Sequence, residues 1–129
     1  MAKFTRKQIA NYIASQIRSG ADPKKLAATV ATLLVSEKRS RELPQLMRDV
    51  RQIRLAVDGV LEVDAVSARP LSQTHTDQIS ALFAAEAKKV LVHQSIDKDL
   101  IGGVKVETAD SAADLSVRGK LENLYRSIA

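Results

Sequence analysis

The sequence contains no cysteine and no tryptophan, and Phe and Tyr together make up only 3% of it. The first absence excludes disulfides, thiolate-bound zinc and thiol catalysis, and suits a reducing compartment. Scarce aromatics leave the core to Leu, Val, Ile and Ala. They also leave no platform on which nucleic-acid bases could stack. Long apolar runs are missing too. The stretch Leu26–Val35 is interrupted by Thr29 and Thr32 and is far short of the ~20 residues a membrane span needs. There is no internal repeat and no low-complexity tract. What is present is ordinary for a globular chain: 129 residues, 45% hydrophobic and 27% charged. That bounds the molecule to one domain or two very small ones and excludes intrinsic disorder.

Charge is unevenly placed. Residues 1–57 hold 12 Lys/Arg against 4 Asp/Glu, whereas residues 58–129 hold 8 against 11, for a net +5. Such asymmetry suggests two units, the basic one facing something acidic. Met1–Ala21 has no acidic residue and carries Lys3, Arg6, Lys7 and Arg18, which is also how a mitochondrial presequence reads. Its well-formed apolar stripe and lack of serine richness favour an ordinary first helix.

The hydrophobic period changes near the middle of the chain. Ile9, Tyr12, Ile13 and Ile17 recur at helical spacing, and Gly20 is placed to end that helix. Asp22-Pro23 restarts one, with Asp as N-cap and Pro at the first helical position. Leu26, Val30, Leu33 and Leu34 form its stripe. The run "SEKRSRE" (Ser36–Glu42) reads as a polar connector. Leu43, Leu46, Val50, Ile53 and Val57 then define a third helix, with Pro44 tolerable only in its first turn. At Asp58-Gly59 the period shortens to two. Leu61, Val63 and Ala65 predict a half-buried strand ending at Arg69-Pro70. Ser72 caps a helix carrying Ile79, Leu82 and Phe83. "VLVHQSI" (Val90–Ile96) and "GVKVET" (Gly103–Thr108) read as further strands, and Ser116 caps a last helix with Val117, Leu121 and Leu124 on one face. The expected fold class is α+β: a short bundle of about three helices over residues 1–57, then a β-α-β-β-α domain over residues 58–129 with helices on one face of the sheet.

Catalytic patterns are absent. His75 and His93 have no second histidine or local carboxylate at metal-ligand spacing. Asp97 and Asp99 flank Lys98 in an expected turn, where capping is the common duty of Asp. There is no nucleophile elbow and no Walker loop. Gly102-Gly103 raises the question of a phosphate cradle, but such a cradle needs a helix N-terminus directly after the glycines. A strand follows instead, so the glycines are expected to turn the chain into a hairpin. Arg48, Arg51 and Arg54 recur every three residues and could track phosphates, which keeps a small basic nucleic-acid-binding protein as the alternative reading.

Three ordered motifs carry a resemblance. "VSARPLS" (Val66–Ser72), "DKDLIGGVKV" (Asp97–Val106) and "DLSVRGKLENL" (Asp114–Leu124) closely resemble the delta subunit of bacterial F-type ATP synthases and its mitochondrial counterpart, the oligomycin-sensitivity-conferring subunit. Leu33–Val60 is similar to the last two helices of that family's N-terminal domain, including the Leu43-Pro44 that opens the final one. Arg6–Ile17 is more weakly similar to its first helix. The resemblance implies a stator subunit and not a catalyst, with no cofactor and no metal. Its helical domain would hold N-terminal segments of the alpha subunits, and its C-terminal domain would grip the b subunits of the peripheral stalk, resisting rotor torque. The implied location is the cytoplasmic face of the bacterial inner membrane, held there only through the complex.

The sequence departs from that pattern twice. The family's N-terminal domain has six helices, and roughly three middle ones have no counterpart between Gly20 and Asp22. An alpha-binding groove would then lie between the first helix and the next, with Ile13, Ile17, Val30 and Leu34 as expected partner-binding residues. A homodimer in which two shortened bundles complete one another is a further possibility. Before the last helix, Asp114-Leu115-Ser116 stands where the family often has Asp-Gly-Ser.

Overall fold

In a computed structural model, residues 3–101, 103–109 and 118–128 are described. The chain divides into two compact units, Met1–Asp58 and Gly59–Ala129.

The first unit contains α1 (Arg6–Arg18), α2 (Pro23–Ser36), a 3-10 turn (Ser40–Glu42) and α3 (Leu43–Asp58). Local chemistry sets each boundary. Thr5 and Gln8 form a capping box: the Gln8 N–H donates to Thr5 Oγ1 at 3.1 Å, and the Thr5 N–H donates to Gln8 Oε1 at 2.8 Å. At the other end Gly20 adopts φ +78°, its N–H bonds the Ile17 carbonyl, and the Ala21 N–H bonds that of Gln16. This is a Schellman closure, which needs a left-handed residue where Gly stands. Asp22 caps α2, accepting from the Lys24 N–H at 3.0 Å. The end of α2 repeats the closure, here with Lys38 at φ 56°.

The polar run expected to be a plain connector is organised around Arg39. Its guanidinium grips both carboxylate oxygens of Glu42 (2.6 and 3.0 Å), Glu37 (2.9 Å) and the Phe4 carbonyl (2.8 Å). One side chain thus joins the end of α2, the 3-10 turn and the segment before α1. The paired guanidinium holds the Glu42 carboxyl below its ordinary range, and the two carboxylates raise the Arg39 pKa further. Arg6–Asp49 at 2.7 Å and Arg18–Asp58 at 2.6 Å tie α1 to α3, which therefore run in the same direction.

The core of this unit is Ile9, Ala10, Ile13, Val30, Leu34, Leu46 and Val50. Ala10 and Ala14 are fully covered, and such small side chains let helices approach closely. Tyr12, expected in the stripe of α1, is instead 50% exposed; the buried arc runs through the alanines beside it. Leu43 and Val57 of the α3 stripe are also exposed, so α3 buries only its central turns, at Leu46 and Val50.

The second unit contains β1 (Val60–Ser67), α4 (Gln73–Leu82), β2 (Lys89–Ile96), β3 (Val104–Thr108) and α5 (Arg118–Ile128), an α+β arrangement as expected. Gly59 enters β1 at φ +68°, and a Cβ there would meet the Lys88 side chain at 2.9 Å. Ser72 caps α4 by accepting from the His75 N–H. Along β1, Leu61, Val63, Ala65 and Ser67 are buried and alternate with half-exposed residues, the period-two pattern of a sheet covered on one face. Ile79 and Phe83 around α4, Val104 and Val106 of β3, and Leu121 and Leu124 of α5 are buried with them.

The sheet order is β2-β1-β3, with β1 parallel to β2 (Val63 beside Val92) and antiparallel to β3 (Ala65 beside Val106). This corrects the hairpin expected at Gly102-Gly103: β2 and β3 are not neighbours. β1 separates them because α4 returns the chain for parallel pairing, and the segment after Ile96 crosses the end of β1. Gly103 has φ +74°, a backbone that favours glycine. The expectations for Gly102, the turn at Asp110 and Ser111, and the Asp114-Leu115-Ser116 cap with Val117 lie outside the described residues.

Candidate helix-docking groove

The first unit carries a groove of about 640 Å³ formed by α1, α2 and the start of α3. Local structure places its walls. The Gly20 closure and the Asp22-Pro23 restart fold α2 back from α1 within a few residues, and the Arg39 hub aims the start of α3 at the same place. Ile13, Val30 and Leu34, all buried, form the floor, and Ile17, at 37% exposure, rises at the rim. The four residues expected to bind a partner therefore line one groove.

Other lining residues were not among those expected. Val35 is 67% exposed, and Leu43 and Met47, one helical turn apart, are each 45% exposed. A signal for them exists in the sequence: Leu43 opens the α3 stripe and Met47 stands one turn on at i+4, at the flank of Leu46 and Val50. Exposed large apolar side chains clustered on one concavity mark a binding surface more often than chance exposure.

The lining restricts what the groove can do. Among the described residues that line it, Ser40 is the only polar one and none is ionisable. Small-molecule sites usually combine apolar walls with a few fixed polar groups. This groove has almost none, and suits the apolar face of a helix. A second depression is lined by Arg6, Lys7, Asp49, Gln52, Ile53 and Ala56 and contains the Arg6–Asp49 ion pair.

The other residues considered as sites fall into structural roles. His93 lies beside Glu62 across the β1–β2 ladder, Nε2 to Oε1 at 2.8 Å, a pairing that separation in sequence concealed. Among the described residues no group of three or more metal-ligating side chains assembles around either histidine or elsewhere. Asp97 Oδ1 accepts from the Asp99 N–H, so this acidic pair makes a turn. Of the three arginines considered as a possible phosphate track, Arg48 is exposed, and Arg51 and Arg54 are half-buried and take part in other interactions.

Comparison with known proteins adds an independent line. Residues 2–128 match the family model described as ATP synthase delta (OSCP) subunit. The chain is 33% identical over 115 residues to ATP synthase subunit delta of Dinoroseobacter shibae, covering 84% of this chain and 62% of that protein. It is 40% identical over 98 residues to the subunit of Nitrosomonas eutropha, covering 75% and 55%. For Laribacter hongkongensis the identity is 30% over 128 residues, covering 84% and 72%. Most of this chain is thus matched, while it spans little more than half the length of several curated relatives.

Proposed function

Because the chain belongs to the ATP synthase delta (OSCP) subunit family, we propose that it serves as a non-catalytic stator connector of an F-type ATP synthase. In this reading the first unit holds an N-terminal segment of an alpha subunit on the catalytic head. The second unit engages the b subunits of the peripheral stalk. The connection resists rotor torque during proton-driven synthesis, and the protein sits peripherally at the cytoplasmic face of the membrane through the complex. Among the described residues no helix is long and apolar enough to cross a membrane.

The observation that carries this reading is the groove, whose described lining is apolar except for Ser40 and includes accessible Ile17, Val35, Leu43 and Met47. An amphipathic helix laid along it would cover these side chains at i, i+3, i+4 and i+7 spacing. The basic balance of residues 1–57 would in addition draw a segment carrying acidic residues on its outer face. Three helices suffice because α1, α2 and the first turns of α3 build the groove by themselves. The test is co-purification: tagged protein expressed in its source cells should bring down alpha and b subunits from detergent-solubilised membranes. Recovery of neither subunit overturns the proposal.

A further inference from the structure

The groove of the first unit is not uniform along its length. α2 supplies one wall from Pro23 through Leu26 and Val30 to Val35, a run of about 18 Å. A docked helix of about twelve residues would fill it. Ala27 and Ala31, both exposed and one helical turn apart, leave room along this wall for large side chains of an incoming helix. Polarity is confined to one end. Ser40 lies just beyond α2, in the 3-10 turn, and is the only polar residue among the described lining.

Covering that residue has a chemical consequence. Ser40 is exposed in the free chain, where water satisfies its hydroxyl. A helix docked over it displaces that water. Leucine at this point would leave the hydroxyl without a partner, at a net cost, whereas an acceptor would take its hydrogen. The charges around Ser40 select the kind of acceptor. Arg39 is already engaged by Glu37, Glu42 and the Phe4 carbonyl. Lys38 and Arg41, each within two residues of Ser40, are exposed cations. A carboxylate at this end of a docked helix would meet a hydroxyl donor in a cationic surround. In the middle of the groove, over Val30 and Ala31, the same carboxylate would lose its water against apolar side chains.

We propose that Ser40 determines specificity in the groove: it selects an amphipathic helix carrying a carboxylate at the end that lies over the 3-10 turn, and so fixes the register of that helix. A single polar position in an otherwise apolar helix interface sets register in the same way, at some cost in affinity for any other alignment. This role rests on the reading that the groove takes a helix, and adds which helix it prefers.

The test titrates the full chain with four model helices of about 14 residues, unrelated in sequence to any alpha subunit. Each is held helical by an outward lactam bridge, because so short a helix is marginal alone. All share one leucine-rich face. In one that face is leucine throughout; the others carry a single glutamate on it, at the N-terminal end, the middle or the C-terminal end. Fluorescence anisotropy should show the tighter of the two end-glutamate helices bound better than the all-leucine helix by about fivefold or more. The middle-glutamate helix should bind most weakly. Ser40→Ala should keep its far-UV circular dichroism, bind the all-leucine helix at least as tightly as the wild type does, and lose the preference for end glutamate. Ser40→Thr, which retains the hydroxyl, should keep it. A wild-type preference for the all-leucine helix, or a glutamate preference that survives Ser40→Ala, overturns the role of Ser40 while helix docking stands. Binding of none of the four helices overturns both.

Discussion

Leu46→Ala probes the packing of the first unit most sharply. Leu46 is fully covered and sits among Ile9, Ala10, Ile13, Val30, Leu34 and Val50. Removing a buried leucine side chain leaves a cavity that neighbours fill only in part, at a cost of about 2–5 kcal/mol. A unit as small as Met1–Asp58 has roughly 3–9 kcal/mol of stability in total, at 0.05–0.15 kcal/mol per residue. The substitution therefore removes between a quarter and all of it. The assay is amide-resolved NMR through a urea titration. With a slope near 1 kcal/mol per M for so small a unit, the midpoint of Met1–Asp58 amides should fall by about 2–5 M, or the unit should be unfolded in water. Amides of Gly59–Ala129 should keep their midpoint, since their core is built from Leu61, Val63, Ile79, Phe83 and Leu121. A loss below about 1 kcal/mol, or equal movement of both sets of amides, would refute the reasoning.

Three further substitutions test separate devices. Gly20→Ala places a Cβ in open space but forces a side chain into φ +78°; a loss of about 1 kcal/mol is expected in urea unfolding. Leu121→Asp puts a charge on the buried side of α5 and should lower the melting temperature of the second unit by well over 10 °C, from a penalty of about 3 kcal/mol or more; an unchanged value would contradict the assigned face. Glu42 is held below its ordinary 4.5 by Arg39, so it binds fewer protons folded than unfolded below that pH. Its contribution is complete above about 4.5 and is lost as pH falls through the folded value. Glu42→Gln should flatten the decline in stability between neutral pH and that acid region, measured as urea midpoint against pH.

Local chemistry was legible in the sequence, and non-local geometry was not. The Asp22-Pro23 restart, the Ser72 cap and the Gly20 terminus all act within four residues, so spacing alone located them. The alternation of Leu61, Val63 and Ala65 likewise follows from a period of two. The exposure of Tyr12 was hidden because Ala10 and Ala14, too small to dominate an apolar stripe, set where α1 meets its neighbours. The Arg39 hub was hidden because a run of charges reads as solvated until its partners converge. Strand order escaped as well: a loop between two strands in sequence does not reveal that β1 lies between them in space. In the groove, Ile13, Ile17, Val30 and Leu34 came from two helical stripes, whereas Val35, Leu43 and Met47 are brought in by the tertiary turn at Arg39.

The central claim is that this groove holds an alpha-subunit helix, and isothermal titration of the full chain with the N-terminal peptide of the ATP synthase alpha subunit tests it most directly. Val35 lines the groove at 67% exposure, so Val35→Asp should leave the fold intact while placing a charge against the peptide's apolar face. The account predicts saturable 1:1 binding to the wild-type unit and at least a tenfold loss in Val35→Asp, equivalent to about 1.4 kcal/mol. Absence of binding to the wild type, or equal affinity in the variant, would contradict it.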